Sequence, residues 1–159
     1  MALERERTGQ TVRAARRPEC EGEQLVTPEV FQAALERGDV DTAAEMLADD
    51  VVFRSPAVFE PYQGKPATVV LLKAVSRVFR DFRYVRSFIE EDAHGMALLF
   101  EAKIGNRDVE GIDLLRFDAH GQVNDFRVLV RPHSALQALM EAMVPAIERV
   151  LAEQGQDVG

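Results

Sequence analysis

An acidic residue, Asp113, interrupts the apolar segment GIDLLRFDAHGQV, which begins at Gly111. The composition of this segment is typical of a buried strand. A buried carboxylate is costly unless another group pairs with it or it is kept protonated. The segment therefore predicts an acid with a specific environment, which is either hydrogen-bonded within the core or placed to serve a ligand.

A second carboxylate, Glu101, lies on the preceding predicted strand. If the hairpin turns at residues 105–107, Leu99 lies near Asp113 and Glu101 points to the same concave side. Two carboxylates at close range share protons, so that one stays neutral and the other acts as a base. The alternative for Glu101 is a rim carboxylate that is solvated or ion-paired. We therefore carry Glu101 as a second catalytic candidate.

The three histidines do not form a metal-ligand pattern. His94 and His120 lie in predicted turns and His133 follows Pro132, so no two have the spacing of metal ligands. The sequence also contains no G-x-S-x-G motif and no glycine-rich phosphate loop. We expect neither a metal nor a cofactor.

Length and charge restrict the class of protein. A chain of 159 residues, 47% of them hydrophobic, has room for one domain with a sizeable core. A net charge of -8 and a pI near 4.9 argue against nucleic acid and anionic membranes as partners. No apolar run approaches the roughly 18 residues of a membrane span. We expect a cytoplasmic protein.

The chain divides into three parts. Residues 1–26 are polar, with little apolar periodicity, and are expected to be a disordered leader. Residues 27–132 form the predicted domain. Residues 133–159 are expected to form an amphipathic helix and a tail, with Pro145 breaking or kinking the helix.

Helices and strands alternate within the domain in a definite order. Two helices are predicted over 27–38 and 39–50, then a strand over 51–55, a loop, and a third helix over 66–79. Four antiparallel strands follow, joined by glycine-containing turns: FRYVRSFIEE, MALLFEAKIG, VEGIDLLRFD and QVNDFRVLVR. This order predicts an α+β fold in which one curved sheet wraps around the helices.

Three local motifs resemble the nuclear-transport-factor-2-like (NTF2-like) superfamily, which includes ketosteroid isomerases and SnoaL-like polyketide cyclases. They are Arg37-Gly38-Asp39 between the first helices, LADDVVFRSP followed by Gly64, and GIDLLRFDAHGQV. The resemblance covers about residues 28–132. It implies a cone in which a curved, mixed but largely antiparallel sheet surrounds three helices, with the C-terminal helix added.

The ketosteroid isomerases need three groups, and the resemblance assigns a position to each. Asp113 corresponds to the protonated acid that donates a hydrogen bond to the enolate oxygen. The position of the general base is occupied by Ser55, whose hydroxyl cannot abstract a carbon-bound proton unaided. The position of the oxyanion-hole tyrosine is occupied by Phe31. Two of the three groups are missing, so the chain lacks the complete catalytic set.

The implied cone contains a pocket. Alternation along the strands and the position of the loop predict its lining, with Phe59 and Tyr62 covering the mouth. The predicted pocket residues are Phe31, Phe53, Ser55, Phe59, Tyr62, Leu99, Leu115, Phe126, Val128 and Val130.

The opposite face of the sheet is predicted to be apolar. The same alternation places Leu98, Phe100, Ala102, Ile112 and Leu114 on this outer face. A soluble monomer rarely leaves such a surface exposed. We expect a homodimer through the sheet face, or cover by the C-terminal helix.

Three functions are compatible with these patterns. The first is a protein that binds a small apolar molecule in the cone pocket, favoured by the absence of a base at Ser55. The second is an isomerase, cyclase or lyase that uses Asp113 as acid or oxyanion donor. The third is a homodimeric interaction module whose cavity is filled by its own side chains.

Overall fold

A computed structural model describes residues 27–156, which form one six-stranded curved sheet and four helices. The elements are α1 Pro28–Glu36, α2 Val40–Glu45, β1 Leu47–Arg54, β2 Tyr62–Gln63, α3 Lys65–Val78, β3 Arg80–Ile89, β4 Gly95–Ile104, β5 Arg107–Phe117, β6 Val123–Arg131 and α4 His133–Gln156. The strand order is β2-β1-β6-β5-β4-β3, and only β1 and β6 pair in parallel. The predicted α+β architecture is confirmed. The predicted leader, residues 1–26, lies outside the described residues.

Helix α1 begins at Pro28, as predicted, and ends at Glu36, two residues before Gly38. Pro28 occupies the first helical turn, where a missing N–H costs nothing. The helix stops before Gly38, whose φ of 71° suits glycine. Phe31 and Ala34 are fully buried on the inner side of α1, so this helix closes one side of the core.

The second helix is much shorter than predicted. Helix α2 is capped by Asp39, whose carboxylate accepts the Thr42 N–H at 3.2 Å, and it ends at Glu45. Leu47, predicted to lie on the helix, instead begins β1 and pairs with Val123 of β6. Pairing with a distant strand overrides the local helical pattern here. The short strand β2 was not predicted.

The register between β4 and β5 differs from the prediction by one residue. The hairpin has a two-residue turn, Gly105-Asn106, with a φ of 59° at the glycine. Leu98 therefore pairs with Asp113, whereas Leu99 pairs with Ile112. Because side chains alternate between faces, this shift moves every β4 residue to the opposite face.

The outer-face prediction is therefore wrong for β4. Leu98, Phe100 and Ala102 are buried inside the cone. The prediction for Ile112 and Leu114 agrees with the structure, since they alternate with buried residues of β5. The outer face combines half-buried and exposed apolar side chains from four strands: Phe88, Ala97, Leu99, Ile112, Leu114 and Leu129. Helix α4 packs on the inner side and does not cover them. The homodimer stays a prediction.

Helix α4 continues through Pro145, so the expected break does not occur. Its ends are attached to the domain at two places. Ala135 packs with Phe100 and Val109, and Val150 packs in a separate cluster against Ala74 of α3. No helix within residues 27–156 is long and apolar enough to cross a membrane.

Gly111 allows a close approach between neighbouring strands. A Cβ atom there would lie 2.3 Å from Cζ of Phe100 and 2.5 Å from the carbonyl oxygen of Leu129. The Phe100 ring can therefore lie over β5 only because residue 111 has no side chain. This ring forms part of the inner wall of the cone.

We predict that Gly111→Ala lowers the free energy of unfolding by about 1–3 kcal/mol, because the methyl group must displace the ring and the backbone. Gly155→Ala is the matched control, since a Cβ at that helical position meets no atom within 4 Å. This control should leave the free energy of unfolding unchanged or raise it by up to about 1 kcal/mol. Urea unfolding measures the free energy of both variants. Equal stability of the two variants would contradict the proposed contact.

Candidate functional site

A cavity of about 470 Å³ lies between the inner face of the sheet and the helices. Its walls are mostly apolar. Its polar side chains are few: Glu36, Arg37, Ser55, Tyr62, Ser76, Tyr84 and Asp113. The volume is within the range of small-molecule sites, which are typically concave, apolar and provided with a few polar groups.

Asp113 is the only charged residue that is buried within residues 27–156, and its exposed fraction is 5%. Its Oδ2 accepts a hydrogen bond of 2.6 Å from the Tyr84 hydroxyl. Burial raises the pKa of Asp113 to about 7, although the bond from Tyr84 acts to lower it. A protonated fraction of the Asp113 carboxyl therefore persists at neutral pH.

Tyr84 remains the donor in this pair. Burial and the nearby charge of Asp113 raise the pKa of Tyr84 well above its usual range. The tyrosine therefore keeps its proton throughout the pH range in which Asp113 titrates. When Asp113 is protonated, it can still accept from Tyr84 and can donate its own O–H to a third group.

Adjacent strands of the sheet hold the pair in position. Asp113 lies in β5 opposite Leu98 of β4 and Val128 of β6. Tyr84 lies in β3 opposite Phe100. The Phe82 ring contacts Tyr84 edge-on, with centroids 4.9 Å apart. Because sheet pairing fixes both backbones, the hydrogen bond is formed without any loop.

A model of the SnoaL-like domain matches residues 29–126. The chain belongs to this family. A steroid delta-isomerase from Pseudomonas aeruginosa shares 40% identity over 77% of this chain and 89% of its own, with a TM-score of 0.73. A protein with a cystatin-like fold from Silicibacter pomeroyi shares 32% identity over 77% and 86%, with a TM-score of 0.71. A comparison with curated protein sequences gives no match.

More distant members of the fold are also similar. A putative SnoaL-like polyketide cyclase from Shewanella denitrificans has 16% identity over 71% of this chain and 93% of its own, with a TM-score of 0.55. At this identity the likeness concerns the fold alone. The NTF2-like resemblance inferred from the three sequence motifs is confirmed.

The SnoaL-like domain brings some of the predicted pocket residues together around the cavity and leaves others outside it. The residues that line it with Asp113 are Phe53, Ser55, Tyr62, Phe126 and Val128. Phe31 and Leu115 lie in the core behind the wall, and Val130 packs in the cluster around Phe100. Phe59 is fully exposed at the tip of the loop, so it does not cover the mouth.

The paired-carboxylate hypothesis is wrong. Leu99 and Glu101 lie on the outer face because of the one-residue register shift. Glu101 is ion-paired there with Arg83 of β3. Ser55 lines the cavity, but its hydroxyl accepts the Ala57 N–H at 3.0 Å and closes a turn. Neither residue can serve as a base beside Asp113.

Sequence analysis missed Tyr84, Glu36 and the residues of α4 that line the cavity. Tyr84 could have been found from the alternation of β3, had the pairing of β3 with β4 been known. Helix α4 was recognised as amphipathic, but its docking site was not encoded in the local pattern. Within residues 27–156 no three His, Cys, Asp or Glu side chains group as metal ligands.

We predict that Asp113 makes the protein less stable as pH rises. Its pKa in the folded chain, about 7, exceeds the ordinary value of 3.8. Between these two pKa values the folded state retains a proton that the unfolded state has lost. The stabilisation that this proton gives is complete below about pH 4 and is lost as the pH rises to about 7. The free energy of unfolding should fall by up to about 1.4 kcal/mol per pH unit from this group.

Urea unfolding between pH 4.5 and 8 measures this loss in the wild type and in Asp113→Asn. The difference between the two curves should have the predicted slope and flatten above about pH 7. Asp50→Asn, at an exposed position of β1, is the control and should parallel the wild type. Parallel curves for Asp113→Asn would show that this carboxyl titrates normally.

Proposed function

We propose that the SnoaL-like domain binds a small, largely apolar molecule in the cone cavity and holds one oxygen atom of it at Asp113. The observation that carries this proposal is the Tyr84–Asp113 pair, buried in the wall of a largely apolar cavity of about 470 Å³. The apolar walls supply affinity through burial, and the protonated carboxyl supplies a donor for a carbonyl or hydroxyl oxygen.

The open cavity argues against a domain that acts only as an interaction module. In such a module the core side chains would fill the cone. Here Phe53, Phe82, Phe100 and Phe126 form walls around a space of ligand size. Solvent in this space would contact mostly carbon atoms, which favours its replacement by an apolar molecule.

Isomerase-like turnover is the second candidate. The relative from Pseudomonas aeruginosa, named a steroid delta-isomerase, favours it, as does an acid with a pKa near 7. Tyr84 supplies from β3 a hydroxyl that Phe31 in α1 cannot. The hydroxyl of Ser55 still stands where a base is needed, so binding without turnover is the function that we place first.

We predict that ligands with one oxygen function stabilise the wild type in a thermal-shift screen of steroid ketones, phenolic polyketide-like compounds and terpenoids. Asp113→Ala, which removes the donor, should weaken the best ligand about tenfold, the effect of one neutral hydrogen bond in a buried site. Asp108→Asn changes an exposed residue of the same strand and should leave affinity unchanged.

For a neutral ketone, affinity should also decline above about pH 7, where Asp113 loses the proton that it donates. Tyr84→Phe removes the bond that lowers the pKa of Asp113, and should move this decline to higher pH. Isothermal titration from pH 6 to 9 measures the shift. Binding that is independent of pH and of Asp113 would contradict the proposal, and conversion of a bound ketone would favour the second candidate.

A further inference from the structure

Helix α4 contributes a set of apolar side chains to one wall of the cavity. These residues recur with the period of a helix and present two adjacent rows to the cavity: Leu139, Met140, Met143, Val144 and Ile147. All of them lie beyond residues 29–126, the part matched by the SnoaL-like domain model.

Burial differs between the two rows of this wall. Leu139 is 5% exposed, and Met143 and Ile147 in the same row are half-buried, whereas Met140 and Val144 in the other row are 45% and 60% exposed. Apolar side chains that both line a cavity and reach solvent form its mouth. The other side of the mouth is charged, since Glu36 and Arg37 at the end of α1 also line the cavity and are exposed.

The wall is held at both ends and is adaptable between them. Ala135 anchors its beginning against the sheet, and Val150 packs against Ala74 of α3 near its end. Between these anchors, Pro145 lacks the N–H that would bond to the Glu141 carbonyl. The two methionines have flexible side chains that fit different apolar shapes.

We infer that α4 determines the length of ligand that the cavity accepts. The ligand enters with its oxygen first, reaches Asp113, and leaves its apolar end between Met140 and Val144 at the mouth. The ligand class is therefore an elongated apolar molecule with one terminal oxygen function. This inference rests on the proposed function and adds an orientation and the residues that read the far end.

A homologous series of 4-alkylphenols, from ethyl to octyl, tests the orientation by isothermal titration against the full chain. In the wild type each added methylene should tighten binding about twofold to fourfold once the chain reaches α4. In the double variant Met140→Ala/Val144→Ala, the affinity for the long alkylphenols should fall about tenfold. The affinity for 4-ethylphenol should equal that of the wild type. Leu151→Ala is the control, an exposed apolar residue of α4 that does not line the cavity.

Val144→Trp provides a test of opposite kind, because a large ring at this exposed position narrows the mouth without disturbing the core. This variant should bind 4-octylphenol more weakly than the wild type does and bind 4-ethylphenol with unchanged affinity. The inference would be overturned if affinity increased equally with alkyl chain length in the wild type and in both mouth variants. It would also be overturned if the variants lost the same affinity at every chain length. If the short members still depend on Asp113, the proposed function survives that result; if no alkylphenol binds the wild type, both fail.

Discussion

The hydrogen bond from Tyr84 to Asp113 is the interaction on which the site depends. A carboxyl group buried among aromatic rings is tolerated only when it is satisfied or protonated, and here both conditions contribute. The sheet makes the pair possible, since β3, β4 and β5 hold the two residues in register. The absence of a side chain at Gly111 lets the Phe100 ring lie over the strand beside this pair.

The fold and the buried acid could be predicted because their signals lie within short segments of the sequence. Asp113 stands out within a single apolar strand, and Gly38 marks the end of α1. The facing of β4 could not be predicted, because turns of two and three residues at Gly105 give opposite faces. Leu47 was misassigned for a related reason, because its pairing with Val123 of β6, distant in the sequence, outweighs the helical pattern around it.

The site differs from that implied by the ketosteroid isomerases in a physically coherent way. Phe31 removes a hydroxyl from α1, while Tyr84 brings one to Asp113 from β3. Ser55 uses its hydroxyl to close a turn. The cavity therefore keeps a donor for an oxygen atom and has a turn-forming serine, not a carboxylate, at the position of the ketosteroid isomerase base.

The most direct test of this account is the titration of Asp113 itself. Carbon-13 labelling of aspartate carboxyls allows each to be followed by NMR from pH 4 to 9, with Asp113→Asn identifying the signal. We predict a midpoint near 7 in the wild type, moving higher in Tyr84→Phe because the bond that lowers the pKa is lost. A midpoint near 4, unchanged in Tyr84→Phe, would contradict both the buried acid and the function built on it.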